Sequence, residues 1–106
     1  MKVDDREISE SPLYQGSDEQ IAYQLTTTPW GSNPTNVICK IYYVKDGAFT
    51  DYSTSCFGAT TATISGDIIT TPSVKSLTSG DKYRFEIKFT AGGNIYEPWA
   101  TIYGQR

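Results

Sequence analysis

The chain of 106 residues has no histidine, one methionine and two cysteines. Without imidazole, Ser-His and Cys-His nucleophilic pairs and His-ligated metal centres are excluded. Cys39 and Cys56 lie too far apart for a CxxC redox pair and are too few for a disulfide scaffold, so they read as small buried apolar residues in preference to a bridge. No run approaches the ~20 apolar residues of a membrane span. The N-terminus has neither the basic start nor the apolar run of a secretory signal. The expectation is a soluble chain, in the cytoplasm or a virion before a secreted one. A net charge of −3 without any basic block argues against nucleic acid, whose binding rests on clustered Lys and Arg. There is no GxxxxGK loop, dinucleotide fingerprint or DxDxDG loop. No cofactor, metal or enzymatic activity is expected.

What is present favours strands. Hydrophobic residues make up 38%, enough for one core at this length but not for two. The chain is also rich in Thr and Tyr, which suit a pleated, half-buried surface. Charge is unevenly placed: residues 1–19 carry Asp4, Asp5, Glu7, Glu10, Asp18 and Glu19 against Lys2 and Arg6, and the remainder is close to neutral. That polar segment, with Pro12 and Gly16, reads as a flexible acidic arm. It is expected to be disordered or, through a short strand near Leu13 and Tyr14, to add to a neighbouring subunit's sheet edge. Covering of Trp99 by the arm or a loop of the same chain is the alternative to a partner there. The domain proper is placed at 20–106.

Within it, Ile21, Tyr23 and Leu25 alternate with polar residues, the period of a strand with one buried face. The segment TPWGSNP (28–34) is a loop. Residues 36–45 are apolar on both alternations and predict a central strand. Asp46-Gly47 predicts a hairpin turn into a strand near Phe49–Tyr52, and Gly66-Asp67 a second hairpin placing Ile64 opposite Ile69. Strand 82–90 puts Tyr83, Phe85, Ile87 and Phe89 on one face and Lys82, Arg84, Glu86 and Lys88 on the other. With Gly92-Gly93 as the turn, the pairs run Phe89–Tyr96, Ile87–Pro98, Phe85–Ala100 and Tyr83–Ile102. The same register sets Lys88 against Glu97 as an ion pair and Glu86 against Trp99. Pro98 lacks an amide proton, so 94–103 is expected at a sheet edge. No helical period is sustained.

Six to seven short strands between turn signals describe an antiparallel β-sandwich. In LTSGDKYRF (77–85), Leu77 caps the core, Gly80 permits a crossing turn and Tyr83 directs its hydroxyl back to the crossing backbone, a tyrosine corner. The stretch resembles that of immunoglobulin-like domains of the fibronectin type III kind, through Leu77, Gly80, Tyr83, Phe85 and Ile87. The resemblance implies an all-β, immunoglobulin-like sandwich. It departs from disulfide-bonded immunoglobulin domains in having Phe85 two residues after the corner tyrosine, and from fibronectin modules in carrying Trp30 in a loop. LTTTPWGSNP, GDIITTP and FTAGGNIYEPW also resemble small proteins encoded among phage and prophage structural genes.

The functional signal is aromatic. Trp99 is expected to face outward beside Arg84 and Lys88, with Trp30 and Tyr42 also exposed, a combination typical of interface anchors. The favoured reading is a non-enzymatic interaction or assembly module that binds a protein partner or itself through strand 94–103 and the arm. The alternative is a carbohydrate-binding or adhesion module using the same rings.

Overall fold

A computed structural model describes residues 6–8, 10–58 and 61–106. Among them nine strands and one helical turn run in the order β1 (Leu13–Gly16), β2 (Gln24–Thr26), β3 (Thr35–Lys45), β4 (Ala48–Asp51), α1 (Ser53–Cys56), β5 (Thr63–Ser65), β6 (Ile68–Thr70), β7 (Lys82–Ala91), β8 (Asn94–Tyr96) and β9 (Trp99–Gln105). They form two sheets, one of order β1-β9-β7-β3-β4 with β8 also on β7, the other of order β2-β6-β5. The fold is therefore all-β. The strand count exceeds the expected range because Pro98 splits the last hairpin arm and the N-terminal segment adds β1.

Strand β7 organises the large sheet. It lies between β9 and β3, and its alternation buries Tyr83, Phe85, Ile87 and Phe89 against Leu25, Ile41, Ile69, Val74 and Ile102. The hairpin registers follow the alternation: Phe89 faces Tyr96, Phe85 faces Ala100, Tyr83 faces Ile102 and Glu86 faces Trp99. Asp46 and Gly47 turn β3 into β4 with φ of 53° and 77°, and Ile64 pairs with Ile69. Strand β3 is central, as its apolar length requires.

The crossing into β7 is held as the corner spacing implies. Leu77 is buried, Gly80 has a φ of +87°, and the Thr78 amide donates to the Tyr83 hydroxyl oxygen at 2.8 Å. The Gly80 amide donates to the Gly104 carbonyl at 2.9 Å, and the Gly104 amide donates to that of Asp81 at 2.9 Å. Gly104 sits so close that a Cβ there would collide with the Thr78 carbonyl oxygen.

Two expectations are corrected. First, strand 94–103 is not a sheet edge along its length. Only β8 keeps that position, because β9 is covered on its far side by β1 in parallel, Leu13 against Ile102 through Gly16 against Gln105. Upstream, the Trp99 amide donates to the Arg6 carbonyl, the Ile8 amide donates to the Trp99 carbonyl, and the Thr101 amide donates to Ser11 Oγ. Second, the arm is part of the domain from Arg6 onward. Leu13 packs against the core, and buried Gln15 reaches the segments that flank β2 and β6, its Nε2 donating to the Val74 carbonyl at 2.7 Å and its Oε1 accepting from the Tyr23 hydroxyl at 2.8 Å. The expected arm residues 1–5 and Ser9 lie outside the described residues. A polar composition reads as a solvated tail, but here its polar groups complete the backbone bonds that Pro98 and the end of β9 leave open.

One helical turn was not foreseen. The Tyr52 carbonyl accepts the amides of Ser55 and Cys56, and Ser53 Oγ accepts the Ile41 amide at 3.0 Å, which takes over the side of β3 where β4 stops. Cys39 and Cys56 are free thiols, half-buried and buried respectively. Burial pushes the Cys39 thiol up to about 12.

Candidate interaction face

The large sheet has one face on the core and one away from it. Alternation along β7 sends Lys82, Arg84, Glu86 and Lys88 outward, and the registers carry that side across the neighbouring strands in rows. One row runs Tyr14, Tyr103, Lys82, Val44 and Phe49. The next holds Thr101, Arg84, Tyr42 and Asp51, and the next Trp99, Glu86 and Lys40. Beyond these, Ile38 pairs with Lys88 and Ile95 with Thr90. Glu7 bridges to Trp99 on the same side.

This face concentrates exposed apolar surface. Of the seven large hydrophobic residues that are substantially exposed among the described residues, Tyr14 (58%), Ile38 (49%), Phe49 (54%) and Ile95 (63%) belong to it. Scattered apolar residues are ordinary, but clustering on one sheet face is not.

Arg84 is its centre. The guanidinium carbon lies 4.2 Å from the Trp99 ring centroid and 5.5 Å from that of Phe49, while Nε donates to Glu86 Oε2 at 2.8 Å. An arginine plane stacked on an indole and anchored by a carboxylate is held in place, so little side-chain freedom remains to be lost on binding. Tyr42 packs against Phe49 with ring centroids 6.2 Å apart, and Tyr14 stacks on Tyr103 at 5.6 Å. Burial, followed by the nearby carboxylates of Glu86 and Asp51, raises the Tyr42 hydroxyl above its ordinary value, so it stays a neutral donor.

The charges on this face are interleaved. Lys40, Lys82, Arg84 and Lys88 stand against Glu7, Asp51, Glu86 and Glu97, a sum of zero. Lys40 Nζ lies 3.5 Å from Asp51 Oδ2. Two hydrogen bonds from Ser53, followed by Lys40, hold the Asp51 carboxyl below its usual value. Ile38, Lys40, Tyr42, Glu86, Lys88 and Glu97 line a shallow hollow of about 220 Å³. The ion pair expected between Lys88 and Glu97 is not formed. The close pairs on this face are Arg84–Glu86 and Lys40–Asp51. Glu97 falls in the gap that Pro98 opens between β8 and β9, outside the ladder that was to align it.

Of the five residues singled out from the sequence, the structure brings Trp99, Arg84, Lys88 and Tyr42 onto this face. Trp99 is half-buried beneath Arg84, not a bare ring at an edge. Trp30 is elsewhere. It is half-buried and meets Phe89 edge-on at 6.4 Å, where it lines a groove of about 350 Å³ between the two sheets with Ile8, Leu13, Tyr23 and Leu25. The loop carries it inward because Thr27 binds both following amides, the Trp30 and Gly31 N–H groups donating to its carbonyl. Tyr14, Ile38, Phe49 and Ile95 were missed as site residues. Their signal was present in the alternation, since each pairs in register with an outward residue.

Among the described residues no three Cys, Asp or Glu side chains come together as metal ligands, and no helix is long and apolar enough to cross a membrane. Comparison with known proteins finds no matching family model, curated protein or solved structure.

Proposed function

We propose that the chain is an immunoglobulin-like module of the fibronectin type III kind that serves as a non-enzymatic protein–protein interaction or assembly unit. In this reading the outer face of the large sheet is the binding surface. The observation that carries the function is the gathering of Tyr14, Ile38, Phe49 and Ile95 around the Arg84–Trp99 stack on one face. Aromatic and arginine anchors amid apolar surface are the usual composition of protein hot spots.

The strand order supports the fold assignment. A β2-β6-β5 sheet opposes one in which β7 lies between β9 and β3, with β4 beyond β3, as in immunoglobulin-like sandwiches, and the tyrosine corner lies at the entry to β7. The core disulfide is replaced by Phe85 against Tyr23 and Phe57. The resemblance of LTTTPWGSNP, GDIITTP and FTAGGNIYEPW to phage structural-region proteins makes a virion-associated assembly role the favoured setting.

The carbohydrate-binding alternative is weaker on this geometry. A sugar needs an open ring face, and Arg84 lies across Trp99 while Trp30 is turned into the inter-sheet groove. Photo-crosslinking in the source cell from a benzoylphenylalanine placed at Tyr42 tests the proposal. A protein adduct, absent when the probe sits at Thr63 on the other sheet, is expected. Adducts of equal yield from both positions, or glycan-array binding that disappears in Trp99→Ala, would overturn it.

A further inference from the structure

We infer that the partner of this face is the same face of a second copy of the chain, in an isologous, face-to-face pair. This rests on the reading of the face as a protein-binding surface and specifies its occupant. Three observations carry it.

The first is charge. The chain is acidic, at −3, yet the described residues of its outer face sum to zero with acids and bases intermixed. A surface evolved for an acidic or a basic partner carries one sign, because complementarity steers encounter and like charges are repelled. A surface that must meet itself has to carry both.

The second is symmetry. An isologous contact sets one patch against itself, so each group needs its complement within the patch. The face has apolar residues at both ends of its strands, Tyr14 and Phe49 at one, Ile38 and Ile95 at the other, with the ion pairs between. A twofold axis across the strands, passing over β7 between Arg84 and Glu86, lays apolar end on apolar end. It also sets the Arg84 of each copy against the Glu86 of the other, and lays the exposed Lys82 over the exposed Lys88 of the other copy, where Glu97 lies alongside.

The third is area. The molecule measures 38 × 30 × 20 Å, and the shortest extent is that of two sheets packed face to face. A face bounded by the two longer extents has room for the roughly 800 Å² per partner of a standard interface. Addition at the edge of β9 is closed to a second copy while β1 occupies it, so strand addition there does not compete with the face.

Sedimentation of the full chain over a concentration series tests the inference. A monomer–dimer equilibrium is expected, with Ile38→Asp raising the dissociation constant roughly thirtyfold, the effect of losing one hot-spot residue. Arg84→Glu and Glu86→Arg, each folded by circular dichroism, are expected to be monomeric alone and to pair when mixed. The double variant carrying both changes should dimerise again by itself. A wild-type chain that stays monomeric throughout, or a dimer whose constant is the same in all three single variants, would overturn it. The crosslink from Tyr42 separates the two levels: an adduct with a different protein sinks the second copy as partner but leaves the interaction face standing, whereas an adduct of two copies supports both.

Discussion

The two faces of β7 are built from one alternating run, yet they do different work. Inward, Tyr83, Phe85, Ile87 and Phe89 are buried among aliphatic and aromatic neighbours from both sheets. Outward, Arg84 and Glu86 are half-buried, Lys82 and Lys88 are exposed, and the rings around them come from β1, β3, β4 and β9. The inner face owes its place to removal of apolar surface from water, which is non-directional and large. The outer face owes its order to stacking and ion pairing, which are directional and small. Stability should therefore be sensitive to the inner side and its crossing, and binding to the outer side.

Substitutions can break that contrast in a graded way. The largest loss is expected from Gly104→Ala, where a Cβ would collide with the Thr78 carbonyl oxygen beside the tyrosine corner. A destabilisation on the order of 4 kcal/mol, at the diagnostic upper end for single changes, should appear as a lower denaturation midpoint. Gln15→Ala comes next, at about 2 kcal/mol, because it removes two buried or half-buried hydrogen bonds, leaving the Val74 carbonyl with only the Ile21 amide and the Tyr23 hydroxyl without its acceptor. A neutral result in urea unfolding would mean that the N-terminal strand does not stabilise the domain through Gln15.

Tyr83→Phe should cost about 1 kcal/mol, the net value of its bond from the Thr78 amide, with no change in outer-face binding. Trp99→Ala reverses the pattern. Loss of the Arg84 stack should lower stability by only about 0.5–1 kcal/mol while weakening association, a split that calorimetry and sedimentation on one sample would read.

A last contrast concerns pH. Burial raises the Cys39 thiol to about 12, so its neutral form is favoured in the folded chain. That contribution is fully present below the unfolded value of roughly 8.5 and is lost as pH rises towards the folded one. Unfolding midpoints should therefore fall between about pH 9 and 12, and less so in Cys39→Ala.

Much of this was legible because alternation with a Gly-Gly turn allows few registers. Slipping β7 against β9 by one residue would bury Lys82, Arg84, Glu86 and Lys88, so the pairing through Tyr83–Ile102 followed from residue types alone. The tyrosine corner was equally readable, since its three residues are close in sequence and each has one role. The face was half legible: Trp99, Arg84, Lys88 and Tyr42 were identified, but Tyr14, Ile38, Phe49 and Ile95 join them only once five strands are set side by side.

The arm was misread because its cues are local and polar while its partners are distant. Gln15 reads as a solvated residue until Val74, 59 positions away, meets it. The ladder with β9 consists of backbone bonds, which any residue except proline can make. Trp30 was misplaced for a related reason: loop composition marks a turn but not the direction in which the turn aims a side chain.

Sequence by itself determined an all-β chain, the hairpin registers and the corner, because side-chain period and turn chemistry act over a few residues and leave little choice. Tertiary structure decided which strand lies beside which, that the N-terminal segment closes β9, and that rings from separate strands make one surface with Arg84 at its centre. Those outcomes depend on contacts between distant positions, whose energies exist only after the sheets have formed.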